Sequence, residues 1–149
     1  CKSNIKQLGL CLILYRDNHG MASQYPNHDG AAFLVHTYHT GVTTEPDLFV
    51  CPDSGDDNEQ GALLAPGKLT PRACSYAGRR NRNQLAYPGI YTTRGASETA
   101  VASDDSENGA NHDNGLIVLF LDGHVEEFPN GHAGLGTFGG GGLLDPLAN

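Results

Sequence analysis

The stretch Leu116–Phe128, with the sequence LIVLFLDGHVEEF, decides the fold of this chain. Its first part, Leu116–Leu121, is apolar without alternation, which predicts a central strand covered on both faces. The dipeptide Asp122-Gly123 follows, and it favours a type I′ turn with positive φ at both central residues. Residues His124–Phe128 then alternate in polarity, as a strand with one buried face does. The stretch therefore predicts a β-hairpin.

The N-terminal segment, residues 2–16, predicts an amphipathic helix. Its apolar residues recur at the spacing of one helix face, and they are Cys1, Ile5, Leu8, Leu12 and Tyr15. Gly9 should weaken this helix by up to about 1 kcal/mol. Further apolar residues at positions 10, 11, 13 and 14 surround its second half. We therefore expect that half to be buried, either under a sheet or between subunits.

Three shorter elements complete the predicted α+β fold. A short helix is expected over Gly30–His39, and strands are expected over Ala73–Ala77 and Glu98–Ser103. The tail Gly131–Asn149 is too rich in glycine to fold alone, but it carries scattered leucines and a phenylalanine. We therefore expect one domain over residues 1–130, followed by an arm that docks on its own domain or on a neighbour.

Composition and charge narrow the class of function. The 149 residues suffice for one domain, and the longest apolar run has six residues, far below the roughly 20 that cross a bilayer. A net charge of −8 argues against nucleic acid and acidic membrane surfaces as partners. The charges alternate in blocks: residues 1–16 and 61–97 contain no acid, whereas residues 17–60 and 98–149 contain no lysine or arginine. Such blocks either neutralise one another within the domain or form faces that meet a neighbour's.

His112 is followed by nine residues and then by Asp122-Gly123. This H-x9-DG spacing resembles the prepilin-type, processing-associated H-x9-DG family of bacterial pseudopilin-like proteins. Three further pieces are similar to that family and fall in its order: FVCPDS (Phe49–Ser54), CSYAG (Cys74–Gly78) and VASDDS (Val101–Ser106). The resemblance covers residues 1–128 and implies a pilin-like α+β architecture, an N-terminal α-helix packed on an antiparallel sheet. It also implies an exported protein displayed at the bacterial cell surface.

The resemblance implies a structural subunit rather than an enzyme, one that assembles with copies of itself into an extracellular filament or tube. The family's apolar N-terminal stem is absent ahead of Cys1, so either the stem was removed or the chain never had one. Two alternatives stay open. The chain could be a minor pseudopilin of a type II secretion-like apparatus that binds other pilin-like proteins. It could instead be a metal-dependent surface hydrolase or a carbohydrate-binding domain.

The four cysteines suggest an exported protein. Cys1 and Cys11 lie about 15 Å apart along one helix, too far for a disulfide. Cys51 and Cys74 flank a 22-residue loop, and a bridge between them would contribute about 3 kcal/mol. We therefore predict a Cys51–Cys74 disulfide. Cys1 and Cys11 would then be buried thiols or cross-links to cysteines of neighbouring subunits.

The segment from Asp104 to Gly109 resembles the first half of a calcium loop. Asp104, Ser106 and Asn108 supply oxygens at alternate positions, and Gly109 allows the sharp turn. The usual bidentate glutamate is missing because Gly115 occupies its position, so Asp113 or a neighbour's acid would have to complete the shell. The alternative is a solvated acidic loop. Structural calcium is the only cofactor that the sequence predicts.

The seven histidines invite a zinc or catalytic interpretation. His36 and His39 are three residues apart, and His112, Asp122 and His124 could converge near the hairpin. No H-E-x-x-H or similar spacing is present, however, so a structural role is favoured. In that role His112 hydrogen-bonds the backbone before the central strand and Asp122 sets the turn. The basic cluster of residues 79–82 is expected to be a solvated loop or to dock on an acidic neighbour.

Overall fold

The computed structural model of this chain describes residues 1–19, 25–28, 30–78, 95–104, 112 and 115–132. Two helices and four strands make up the regular structure of this part, with short 3₁₀ turns between them. They are α1 (Lys2–Asn18), α2 (Ala31–His39), β1 (Tyr76–Gly78), β2 (Ala100–Asp104), β3 (Gly115–Phe120) and β4 (Val125–Pro129). The strands form one sheet in the order β1-β2-β3-β4, and each neighbouring pair is antiparallel. The predicted α+β fold, with the N-terminal helix packed on an antiparallel sheet, is confirmed.

Strand β3 is the most deeply buried element of the sheet. All six of its residues are buried, and it lies between β2 and β4. One face places Ile117 and Leu119 in the main core, which also contains the buried residues of both helices. The opposite face places Val118 and Phe120 in a second cluster, together with Ala100. The prediction of a central strand covered on both faces is therefore confirmed.

The turn between β3 and β4 is not of type I′. Gly123 has a φ of +87°, but Asp122 is not among the described residues with positive φ. The Gly123 N–H donates to the Phe120 carbonyl, and the Phe120 N–H donates to the His124 carbonyl, both at 2.9 Å. This pattern is a three-residue loop in which a turn is followed by a left-handed glycine. The hairpin prediction was right and its turn type was wrong, because Leu121 belongs to the loop and not to the strand.

Helix α1 packs closely on β3 because residue 9 has no side chain. A Cβ atom on Gly9 would lie 2.8 Å from Leu119 Cδ1, closer than real Cβ atoms come. The cost of this glycine in helix propensity is therefore offset by contact with the sheet. The second half of α1 is buried within the chain on one face only, since Cys11 and Leu12 are buried whereas Leu10 is 55% and Leu14 is 49% exposed.

The first two strands begin later than the sequence suggested. Residues Pro71–Ala73 form a 3₁₀ turn before β1, and residues Ala96–Glu98 form another before β2. The short helix was predicted correctly, and α2 packs against β1. None of the described helices has the length and apolar character that crossing a bilayer requires. Residues 133–149, most of the expected arm, lie outside the described residues.

Strand β1 touches the start of α2 through Gly78, and this contact gives a test of the packing. A Cβ atom on Gly78 would lie 2.6 Å from Phe33 Cβ and 2.7 Å from the Gly30 carbonyl oxygen. Gly78→Ala should lower the free energy of unfolding in urea by about 1–3 kcal/mol. Gly55→Ala is the control, because no atom lies within 4 Å of the added methyl group there. Equal stability of the two variants would contradict this packing.

Candidate functional site

A disulfide joins the start of α1 to a turn fifty residues further along the chain. Cys1 and Cys51 are bonded, with their Cα atoms 4.8 Å apart. Cys1 is half-buried at the N-terminal end of the helix, and Cys51 is fully buried. The amide of Asn4, in the first turn of α1, donates to the carbonyls of Asp47 and Val50 at 3.1 and 3.0 Å. Covalent and polar contacts therefore fix the helix to the same segment.

The predicted Cys51–Cys74 disulfide is wrong. Cys74 is a buried thiol whose Sγ lies 3.3 Å from the Tyr76 carbonyl oxygen, to which it donates. Spacing along the chain could not reveal that the N-terminal end of the helix comes closer to Cys51 than Cys74 does. Cys1 is thus not a candidate for cross-linking subunits while this bond is intact.

Cys11 is a free thiol that is buried within the chain. Its side chain is buried in α1, and burial raises the pKa of its thiol, although a hydrogen bond with Thr43 acts in the opposite direction. A thiol with a raised pKa has little of the reactive thiolate form. Cys11 is therefore a structural cysteine, the other alternative that the sequence left open.

The segment Cys51–Ser54 forms a tight turn that is hydrogen-bonded to Ser75, the residue before β1. The Ser54 N–H and Oγ both donate to the Cys51 carbonyl, at 3.0 and 2.9 Å. The Cys51 N–H donates to Ser75 Oγ at 2.9 Å, and Ser75 Oγ donates to Asp56 Oδ2 at 2.6 Å. Asp53 lies in this turn, with 68% of its side chain exposed. The turn therefore presents Cys51 and Asp53 together at a rigid edge of the domain.

His112 lies beside this turn. Its Nε2 is 3.8 Å from Cys51 Sγ, and its Nδ1 is 3.8 Å from Asp53 Oδ2. On its inner side, Nε2 is also 3.6 Å from Asp104 Oδ2. The His112 side chain is 21% exposed, so it lies between the solvent and the core. The sequence placed His112 in the loop that leads to the central strand, but did not predict these neighbours.

Asp104 is a buried carboxylate at the end of β2. Its Oδ2 accepts the backbone N–H of Ile117 at 3.0 Å, whereas its buried Oδ1 has no hydrogen-bond partner among the described residues. Burial raises the pKa of Asp104 to about 6, against the lowering effects of the Ile117 N–H and of His112. Burial also raises the pKa of the neighbouring Tyr76, whose hydroxyl lies 3.5 Å from the Cys1 carbonyl. The site thus combines a disulfide with two ionisable groups, Asp104 and Tyr76, whose pKa values are raised by burial.

Four side chains at this place could hold a metal ion. Cys1, Cys51, Asp53 and His112 each offer one ligand atom, and these atoms lie within 4.8 Å of one another. The disulfide engages both sulfur atoms, however, which leaves Asp53 and His112 as ligands in the oxidised protein. Of the residues predicted to bind calcium, only Asp104 belongs to the described part of the chain, and Ser106, Asn108 and Asp113 lie outside it.

The expected convergence of His112 with the hairpin turn does not occur. His112 precedes β3 and Asp122 follows it, so a six-residue strand of about 20 Å separates them. Asp122 instead pairs with His124, whose Nδ1 approaches its Oδ1. The backbone N–H of His124 and then its ring lower the pKa of Asp122, which is consistent with its predicted role in setting the turn.

The described histidines around α2 contact one another in T-shaped and tilted ring arrangements and do not form a metal-ligand group. The rings of His36 and His39 are 6.2 Å apart, and those of His28 and His36 are 4.5 Å apart. Partial burial and then the neighbouring histidines lower the pKa of His36. In the described residues, the set built around Cys1 and Cys51 is the one group of three or more metal-ligand side chains whose ligand atoms all lie within 4.8 Å of one another. The basic cluster of residues 79–82 lies outside the described residues.

Asp53 is the site residue that sequence reasoning missed. It was not singled out as a ligand from the sequence, although the Cys-Pro-Asp-Ser sequence itself marks a tight turn. That turn could have indicated that Asp53 and Cys51 lie on one edge. Comparison of the chain with protein-family models, curated proteins and solved structures finds no match.

The disulfide gives a prediction that separates the observed pairing from the one expected from spacing. A bridge that closes a loop of about fifty residues should contribute about 4 kcal/mol. Reduction should therefore lower the wild-type free energy of unfolding by about that amount. Cys1→Ser should abolish this sensitivity to reductant, and Cys74→Ser should keep it. If Cys74→Ser abolished the sensitivity to reductant instead, that result would support the Cys51–Cys74 pairing and contradict the observed one.

Asp104 gives a second prediction, on pH dependence. Because its folded pKa of about 6 lies above its ordinary value, the folded state holds this proton more tightly than the unfolded state. Stability should therefore fall as pH rises from about 4 to about 6, by roughly 2–3 kcal/mol. In Asp104→Asn this contribution should vanish, which urea unfolding across the pH range would measure. The exposed Asp47→Asn serves as the control, and parallel curves for wild type and Asp104→Asn would contradict the assignment.

Proposed function

We propose that this chain is a structural subunit that assembles with copies of itself into an extracellular filament or tube, as its resemblance to the H-x9-DG family implies. One observation carries the proposal. Leu10 and Leu14 are the exposed large hydrophobic residues among those described, at 55% and 49%. They are four residues apart and so lie next to each other on the outer surface of α1. A second subunit that covered them would remove both side chains from water.

The charges around this leucine pair support a neighbour of opposite sign. Lys2 and Lys6 are exposed on the same helix, and residues 1–16 contain no acid. Strand β4 is an edge strand of the described sheet, and it exposes Glu126 and Glu127. The basic helix of one copy is therefore complementary to the acidic edge of the next. A contact between two different surfaces generates an open polymer when its rotation does not close.

The acidic edge strand also argues for the helix as the assembly surface. Charged side chains on an edge strand oppose the addition of another strand. Polymerisation by simple sheet extension from β4 is thereby disfavoured, since it would bring the glutamates of one copy beside the strand of the next. The exposed face of α1 around Leu10 and Leu14 carries no comparable pair of acidic side chains that would oppose a contact.

The disulfide supports the proposed location outside the cytoplasm, because disulfides persist in oxidising compartments. The disulfide also weakens the hydrolase alternative. In the oxidised protein, Asp53 and His112 are the two members of the described metal-ligand set that remain able to bind an ion. A calcium ion held by Asp104, Ser106, Asn108 and Asp113 stays a prediction of the same proposal.

The test is a helix-surface variant. Leu10→Ser/Leu14→Ser should shift the oxidised protein from polymers toward monomers, because it removes the apolar part of the contact. Sedimentation velocity at rising protein concentration gives the size distribution, and negative-stain electron microscopy gives the form of the assembly. Raising the salt concentration should also weaken the wild-type assembly, since screening reduces the attraction between exposed charges.

Gln7→Ser is the matched control, because Gln7 is exposed on the same helix but is polar. It should assemble like the wild type. A wild-type chain that stays monomeric at high concentration would refute the proposal of a major subunit. Binding to another pilin-like protein by that monomer would favour the minor pseudopilin instead.

A further inference from the structure

Three separate segments of the chain bring metal-ligand side chains to one place. Cys1 comes from the start of α1, Cys51 and Asp53 come from the tight turn, and His112 comes from the segment before β3. Cys1 Sγ lies 3.8 Å from Asp53 Oδ2, and His112 Nδ1 is also 3.8 Å from Asp53 Oδ2. These two values are close to the distances of about 3.3–3.8 Å between the ligand atoms of a tetrahedral zinc ion. One ligand atom from each of the four side chains lies within 4.8 Å of the other three.

We propose that reduction of the Cys1–Cys51 disulfide converts this place into a zinc site with two thiolates, one imidazole and one carboxylate. The sulfur atoms are joined to each other in the oxidised chain, and each becomes a ligand only when that bond is broken. The disulfide and the zinc ion are therefore alternative ways to hold the same three segments together. This inference does not depend on self-assembly, because it concerns ion binding by the single chain.

The conversion is balanced with a dithiol as the reductant. The dithiol transfers two electrons and two protons to the Cys1–Cys51 bond, which gives two cysteine thiols and a new disulfide in the reductant. Zinc then replaces both thiol protons, which are released to the solvent. Zinc suits this donor set because thiolate, imidazole and carboxylate are its usual ligands in proteins.

The surroundings of His112 favour metal binding through Nδ1. That nitrogen faces the exposed Asp53, whereas Nε2 is 3.6 Å from the buried Asp104 Oδ2. Metal-bound histidines usually donate their other ring N–H to a carboxylate or carbonyl, which fixes the orientation of the ring. Asp104 is in turn held by the Ile117 N–H of β3. The buried Asp104 is thus suited to be the positioning residue behind the metal ligand.

The place is accessible to an ion from solvent. Asp53 is largely exposed and His112 is partly exposed, while Cys51 closes the inner side. A zinc ion would thus enter from the side of Asp53 and meet the two sulfur atoms beneath.

The experiment compares zinc binding by the reduced and the oxidised full-length chain. The protein is reduced with a phosphine under anaerobic conditions, and isothermal titration calorimetry with Zn²⁺ alone measures affinity and stoichiometry. We expect one zinc ion per reduced chain, bound at least about 100-fold more tightly than any zinc on the oxidised chain. All seven histidines are present in both forms, so binding to histidines elsewhere cancels in this comparison.

Variants then assign the ligands. Asp53→Asn should weaken binding to the reduced chain by about 10-fold or more, and Asp57→Asn, in the same exposed loop, should leave it unchanged. Cys1→Ser should abolish the tight binding, whereas Cys74→Ser should retain it. Asp104→Asn should weaken binding by about 10–100-fold without changing the visible spectrum of the Co²⁺-substituted site, as expected of a residue that does not touch the metal.

Circular dichroism shows whether each reduced chain keeps its helices, and a Zn²⁺-dependent rise of Tm gives a second measure for any chain that is partly unfolded. The proposal is overturned if the folded, reduced wild type binds zinc no better than the oxidised form. It is also overturned if Asp53→Asn and Asp57→Asn bind with equal affinity, or if Cys1→Ser binds as tightly as the wild type.

Discussion

The burial of β3 on both faces is the constraint on which the rest of the structure depends. Its six residues are all buried, so each neighbouring element has to pack closely against both faces of the strand. The missing side chain of Gly9 is one consequence, because a methyl group there would collide with Leu119. The approach of α1 to the sheet is thus set by one glycine and one leucine. That approach determines where both ends of the helix lie.

The position of α1 in turn produces the candidate site. Its N-terminal end reaches the turn at Cys51, where a disulfide and the amide of Asn4 hold it. The beginning of β3 lies nearby, because the Ile117 N–H donates to Asp104, which faces His112. The polar site is therefore built at the place where the helix, the turn and the central strand meet. Its ligand atoms come from three separate segments of the chain, at Cys1, at Cys51 and Asp53, and at His112.

The two proposals use opposite surfaces of the same helix. Self-assembly relies on the outer leucines, Leu10 and Leu14, whereas zinc binding relies on the sulfur atom at the helix start. The disulfide connects them physically, since it fixes the orientation of α1 and hence of its outer face. Replacing the disulfide by a zinc ion would keep that orientation in a reducing environment. A failure of either proposal would leave the other standing.

The sequence by itself determined the elements that depend on local pattern. The hairpin, α1 and α2 follow from apolar periodicity and from the Asp122-Gly123 turn, and these were predicted close to their observed bounds. The loop type was missed because Leu121 could have ended the strand or begun the turn, and only the hydrogen bonds of Phe120 decide between them. The role of Gly9 was missed because its reason, Leu119, lies more than a hundred residues away. The pairing of Cys51 with Cys1 and the position of Asp53 beside His112 were decided by the tertiary structure alone. Spacing along a chain says how long a loop is, but the docking of the helix on the sheet decides which side chains meet.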